Sequence, residues 1–423
     1  VQLTTSRPKV HRAWIIAGAA FFALLAAAGF RAAPGVLIDP LHEEFGWSRA
    51  TIASAVSVNL VLYGLFSPFA AALMERFGMR RVAATALFVV AIGAGGTVFM
   101  TASWQLILCW GVLVGVGTGS MAMSFAATVA ARWFVRSRGT VTGILTAAGA
   151  TGQLIFLPIV AKLAISEGWR TASLVIAIAA LAVVPVVLLA IRDHPSELGI
   201  GPYGVDEPAE APERRTGTAK RALTVLVSAA RTRTFWLLAI GFAICGATTN
   251  GLVSTHFVPA AHDHGMPQTT AAGLLALVGI FDVVGTIASG WLTDRVDPRI
   301  LLGVYYALRG ISLALLPQLL SDSVEMSTWA FIVFYGLDWV ATVPPTVALC
   351  VRQFGEAGPI VFGWVFASHQ LGAAIAAFGA GVIRDHFGDY AVAWYIAAGL
   401  AILGSAASIS IRKPNTSVAV GVS

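Results

Sequence analysis

Five ionisable side chains lie well inside runs of residues that are otherwise apolar: Arg31, Asp282, Arg309, Asp338 and His369. A charge at the centre of a membrane-spanning helix costs roughly 2.5–3.5 kcal/mol on insertion scales, so each one implies a partner or a water-filled cavity. A guanidinium is a planar fork that fits a carboxylate, and an imidazole titrates near neutral pH. The chemistry such groups offer is recognition of a small anion and movement of a proton. Bond-making chemistry is not indicated, because no nucleophile–base pair, phosphate-cradling loop or Cys/His ligand spacing occurs. His262-Asp263-His264 reads as a solvated loop rather than a metal site. Cys109, Cys245 and Cys350 lie in or beside apolar segments and read as small core residues. The expectation is therefore a chain that is not an enzyme and holds no cofactor and no metal.

The elements that position these groups follow from composition. The chain is 57% hydrophobic and 11% charged, with a mean hydropathy of +0.80, whereas soluble domains carry about 25% charged residues. A membrane helix needs about 20 mostly apolar residues. Twelve such spans are expected: 14–38, 50–73, 82–100, 104–131, 139–166, 171–191, 235–259, 270–292, 300–320, 327–350, 360–383 and 391–411. The first is too long, and too interrupted by Arg31, for a cleavable signal. Basic residues cluster in the N-terminal segment (Arg7, Lys9, Arg12), after span 2 (Arg76, Arg80, Arg81), after span 4 (Arg132, Arg136, Arg138) and at Arg412 and Lys413. By the positive-inside rule both termini are expected in the cytoplasm, in a multi-pass inner-membrane protein. The net charge of +6 is spread over these short loops, so it is no nucleic-acid footprint.

The chain repeats itself. An offset of 219 pairs Pro40 with Pro259, Gly46 with Gly265, Leu73 with Leu292, Glu75 with Asp294 and Arg76 with Arg295. An offset of 220 pairs Phe134 with Phe354, Gly143 with Gly363 and Gly152 with Gly372. The expected organisation is a six-helix half (1–191), a mostly disordered cytoplasmic linker (192–234) and a second six-helix half (235–423). A duplicated helical unit of this kind is a transporter architecture.

Ala71-Ala72-Leu73-Met74-Glu75-Arg76-Phe77-Gly78-Met79-Arg80 and Gly290-Trp291-Leu292-Thr293-Asp294-Arg295 resemble the hallmark loop of the major facilitator superfamily, glycine-x-leucine-x-aspartate-arginine-x-glycine-arginine-basic. The first copy departs from it at Ala71, Glu75 and Met79. The resemblance implies an all-α membrane fold of two pseudo-symmetric six-helix halves. It also implies a gate, in which Glu75, Arg76, Arg80, Asp294 and Arg295 pair across the seam between halves. Asp39–Arg49, Arg132–Gly139 and Asp193–Gly204 look like segments of bacterial monocarboxylate and oxalate/formate transporter relatives. Monocarboxylate transporters carry an aspartate and an arginine four residues apart on helix 8. Asp282 matches the aspartate, but Thr286 stands at the arginine position, so that arginine's role does not carry over.

Arg31 then becomes the expected carboxylate ligand. At the 219 offset it aligns with Asn250, and Tyr63 aligns with Asp282. Asn59, one turn before Tyr63, is placed on the same face. Gln153, His369 and Gln370 complete the expected substrate-binding set. Arg309 and Asp338 are symmetric in number about the loop joining their spans, and Asp282 and Arg309 about the loop before it, so all three should lie at one depth, with Arg309 a partner of Asp338 or Asp282 and the alternative to Arg31 as anion ligand. Asp282, Asp338 and His369 are the candidate proton carriers. Pro344-Pro345 should break span 10 and free carbonyls that a neighbour must satisfy. The expected function is a monomeric carrier of a small organic anion, a monocarboxylate, by alternating access with proton symport. An organic-anion exchanger and an efflux carrier for amphipathic compounds are the alternatives.

Overall fold

The computed structural model describes residues 11–32, 34–47, 49–205, 207–208 and 217–412. In chain order the α-helices are α1 (Arg12–Ala32), α2 (Pro34–Phe45), α3 (Arg49–Phe77), α4 (Met79–Thr97), α5 (Ser103–Leu106), α6 (Gly115–Ser120), α7 (Met123–Trp133), α8 (Arg138–Ser166) and α9 (Trp169–Ala190). There follow α10 (Thr218–Ala230), α11 (Arg233–Gly246), α12 (Ser254–Asp263), α13 (Gln268–Thr293), α14 (Pro298–Leu319), α15 (Met326–Asp338), α16 (Val343–Phe354), α17 (Gly358–Phe387) and α18 (Ala391–Ile409). Nine stretches of the described residues are long and apolar enough to cross a membrane, and one of them, 326–387, contains both span 10 and span 11.

Two spans are broken, and a third is locally widened. Span 4 runs through a π-helical stretch, Ile107–Val114, and then breaks between α6 and α7. Its glycines let it lie against α3, where a Cβ on Gly119 would stand 3.1 Å from the Tyr63 Cα. Span 7 passes from α11 to α12 through a π-helical stretch, Ala247–Val253. Span 10 stops at Asp338 and resumes at Val343, with Pro344 and Pro345 in the first turn of α16, where proline's missing N–H costs no helical bond.

The segment between the halves is more ordered than its composition suggested. Asp193 accepts from the Arg80 amide at 2.8 Å, and Tyr203 pairs with Phe134 in an isolated bridge. Further on, Ala222, Val225 and Ala229 are buried along one face of α10, which packs on α3 and α17. The Trp364 indole donates to the Ala222 carbonyl at 3.1 Å. The expectation of a mostly disordered linker is thus corrected for these described residues. Apolar residues at helical spacing in 222–229 outweigh the acidic and proline-rich run before them.

On the opposite face, Glu44 of α2 receives Trp169 Nε1 at 2.6 Å and Arg170 at 2.6 Å. The Arg170 hydrogen bond, followed by that of Trp169, holds the Glu44 carboxyl below its ordinary range.

Candidate functional site

A cavity of ≈ 200 Å³ lies where the two halves meet. The first half supplies a mostly apolar wall: Leu24, Ala27 and Ala28 of α1, Tyr63 of α3, Met121 to Met123, and Leu145, Thr146 and Gly149 of α8. The second half supplies polar and ionisable side chains: Asn250 in the π-helical stretch, Asp282 of α13, and His369 and Gln370 of α17. Phe242, Phe366 and Trp339 enclose them. The His369 ring lies between Phe242 and Phe366, 4.9 and 5.8 Å from their centroids, and its Nδ1 is buried without a protein hydrogen bond. Tyr63 meets Phe366 edge-on at 5.4 Å. An apolar enclosure with a few convergent polar groups is the usual form of a small-molecule site.

The break in span 10 forms part of this wall, through Trp339, Val340 and Val343. Its unpaired backbone groups find partners on two neighbouring helices, α13 and α14. The Val340 amide donates to Asp282 Oδ1 at 3.1 Å, and the Thr286 hydroxyl donates to the same oxygen at 2.8 Å. Ser289 Oγ donates to the Ala341 carbonyl. Arg309 Nη2 donates to the carbonyls of Asp338 at 2.6 Å and Trp339 at 3.2 Å, while Nε pairs with Asp338 Oδ2 at 2.6 Å. Arg309 is 1% exposed. It stitches the broken helix behind the cavity and does not line it.

The remaining polar residues sort as follows. Asn59 does not reach the cavity: its amide donates to the Trp110 carbonyl at 2.9 Å, tying α3 to span 4. That carbonyl belongs to the π-helical stretch of span 4, so the position one turn before Tyr63 faces span 4 rather than the cavity. Asp338 faces Arg309 rather than the cavity. Arg31 belongs to α1 and Gln153 to α8, but both side chains lie outside the described residues.

On the face that carries the basic loops, α8 and α13 cross so closely that a Cβ on Gly143 would stand 2.6 Å from the Thr286 carbonyl oxygen. A Cβ on Gly290 would meet the Gly139 carbonyl oxygen at 2.5 Å. Asp294, at the end of α13, fastens this crossing. It accepts from the amides of Gly139 and Thr140 at 2.6 and 2.8 Å and from Thr140 Oγ1 at 2.6 Å, so a carboxylate sits on a helix N-terminus as the dipole favours. The seam is thus bridged by Asp294 through amides, not through the arginines expected. Arg295 instead stacks on Trp291, 3.9 Å from its centroid, and Arg76 lies over Phe77 at 4.8 Å. Glu75 pairs with Arg221 of α10 at 3.2 Å. At the 220 offset, Gly139 and Thr140 correspond to Pro359 and Ile360. Proline's nitrogen and isoleucine's side chain cannot donate, so of the three donors that hold Asp294 only the counterpart of the Thr140 amide is left for Glu75.

Sequence reasoning missed Cys245. It lines the cavity, receives Arg309 Nη1 at 3.0 Å and contacts Thr342 Oγ1 at 3.2 Å. A small methanethiosulfonate reagent is expected to block uptake by modifying this thiol, with saturating solute slowing the block and Cys245→Ser resisting it. Equal inactivation of Cys245→Ser would remove Cys245 from the transport path.

A sequence model described as Major Facilitator Superfamily matches residues 19–361. An uncharacterized MFS-type transporter of Bacillus subtilis, YcxA, is 25% identical over 353 residues, covering 82% of each chain. Monocarboxylate transporter 13 of Rattus norvegicus is 26% identical over 420 residues, covering 96% of this chain and 90% of its own. Among solved structures, FucP in its outward conformation aligns with a TM-score of 0.68 at 16% identity, over 93% of this chain and 98% of that one. The proton:xylose symporter XylE aligns with a TM-score of 0.68 at 14% identity, over 93% and 94%.

Proposed function

The chain belongs to the major facilitator superfamily of secondary transporters, and on that premise we propose that it carries a small organic anion, a monocarboxylate, by alternating access together with a proton. The observation that carries this reading is the division of labour in the cavity. One wall is nearly all apolar and suits a short hydrocarbon body, while Asn250, His369 and Gln370 gather on the other and suit a carboxylate. Relatives named monocarboxylate transporters, about a quarter identical along most of the chain, support the same solute class. Arg31 follows Leu24, Ala27 and Ala28 of α1 at helical spacing, and it is the cation we assign to the solute from the first half.

Asp282 is the proton carrier in this scheme. Asp338 already faces a guanidinium, whereas Asp282 lines the cavity and is held by a hydroxyl and an amide. Protonating Asp282 when the anion binds leaves the loaded cavity without net charge, so the halves rock around it at little electrostatic cost. Both termini and the basic loops lie in the cytoplasm of an inner-membrane protein, and the monomer is the working unit.

The test is uptake of labelled lactate and pyruvate into proteoliposomes. An inward proton gradient is expected to accelerate it, and Asp282→Asn is expected to abolish that acceleration while retaining exchange of internal for external solute. Uptake indifferent to the gradient in the wild type rules out symport, and stimulation by internal anion alone favours an exchanger. Failure of both acids to enter or to compete removes the monocarboxylate assignment.

A further inference from the structure

A second cavity, of ≈ 410 Å³, opens beside the α8–α13 crossing on the face of the basic loops. Both halves frame it: 135–139 from the first, Thr293 to Arg295 and Arg352 from the second. It lies three helical turns along α13 from Asp282, about 18 Å by helix rise, so it is separate from the transport cavity.

Its charge is unbalanced. Arg136, Arg138, Arg295 and Arg352 surround a single carboxylate, Asp294. That carboxylate is already occupied by three donors of Gly139 and Thr140. Arg138 is fixed by the Phe134 carbonyl at 2.8 Å. The Arg136 backbone is pinned by the Tyr203 carbonyl at 3.0 Å, which presents its side chain from a rigid loop. Arg138 also reaches the Ala131 carbonyl and Arg295 the Trp291 carbonyl, so each keeps part of its fork for a ligand, and guanidinium groups arriving from separate elements around one concavity suit a multi-oxygen anion. A phosphate group, with oxygens on every side, meets that arrangement better than a flat carboxylate.

We propose that this cavity binds a phosphate-bearing ligand that clamps the two halves together on this face and slows transport. The ligand is either a free phosphate compound from the aqueous side or the headgroup of an anionic lipid, and both offer the same chemistry.

The purified full chain is tested by thermal unfolding and by uptake in parallel. Inorganic pyrophosphate is titrated in detergent at constant ionic strength. In the second arm, nanodiscs of phosphatidylcholine are compared with nanodiscs containing phosphatidylglycerol. The comparison variants are Arg136→Gln/Arg352→Gln and the charge-keeping Arg136→Lys/Arg352→Lys. Pyrophosphate is expected to raise the unfolding midpoint of the wild type, with affinity about tenfold weaker in the glutamine variant and largely kept in the lysine variant. Stabilisation by phosphatidylglycerol alone, lost in the glutamine variant, supports the site and assigns it to lipid. Should the glutamine pair fail to fold, single Arg136→Gln carries the comparison. Equal responses of wild type and glutamine variant in both arms overturn the site. Bound ligand that leaves wild-type uptake unchanged overturns the clamp. The unfolding readout stands whatever solute the transport cavity carries, so failure of the site and failure of the proposed function are told apart by it.

Discussion

Arg309→Ala is expected to destabilise the chain by roughly 3–5 kcal/mol, the usual cost of half-removing a buried ion pair, and to abolish transport mainly through loss of folded protein. The substitution strands the Asp338 carboxylate and frees the carbonyls of Asp338 and Trp339, for which Arg309 Nη2 is the donor. It also leaves Cys245 without its charged neighbour. Thermal unfolding in detergent, read beside solute binding by the surviving protein, checks this. Arg309→Met with Asp338→Leu should recover part of the lost stability, because replacing both members of a buried pair removes the unpaired charge. The carbonyls stay unsatisfied, so recovery is incomplete. An Arg309→Ala protein with wild-type stability and weakened solute affinity would place Arg309 in the transport path instead.

The second large effect lies at the seam. Gly290→Leu puts a branched side chain where a bare Cβ already stands 2.5 Å from the Gly139 carbonyl oxygen. Overpacking of this kind costs about 1–3 kcal/mol, and it falls only on the conformer in which α8 and α13 cross. A bias of that size shifts the balance between conformers about 5- to 150-fold. Transport should collapse while the protein remains folded, and Cys245 should become open to labelling from the face of the basic loops. Wild-type uptake by Gly290→Leu would show that this crossing does not open during the cycle.

The sequence carried the fold because each of its signals was physical and repeated. Apolar runs of bilayer length set the spans, and the 219 offset set the pairing of halves. It also carried the two aligned positions that meet in the cavity: Tyr63 and Asp282 both line it. The Arg309–Asp338 pair followed from symmetric numbering about one loop. What the sequence withheld was local geometry. Asn59 was misplaced because a π-helical stretch in span 4 turns the Trp110 carbonyl toward it, and widened turns leave no compositional mark. Cys245 was passed over because a thiol in an apolar run resembles any small core residue; only the arrival of Arg309 from another helix distinguishes it. The α10 helix was legible in 222–229, but the charged run before it dominated the segment's composition.

Proline at position 359 gives the duplicated architecture an inequality of kind. One edge of the seam is fastened by hydrogen bonds from amides, the other by Glu75 and Arg221, an ion pair whose side chains are 19% and 23% exposed. The donors that hold Asp294 are backbone amides fixed in the first turn of α8, whereas Arg221 reaches Glu75 through a flexible side chain on α10. The closed form therefore yields as a book does, turning on its Asp294 spine while the leaf beside α10 lifts.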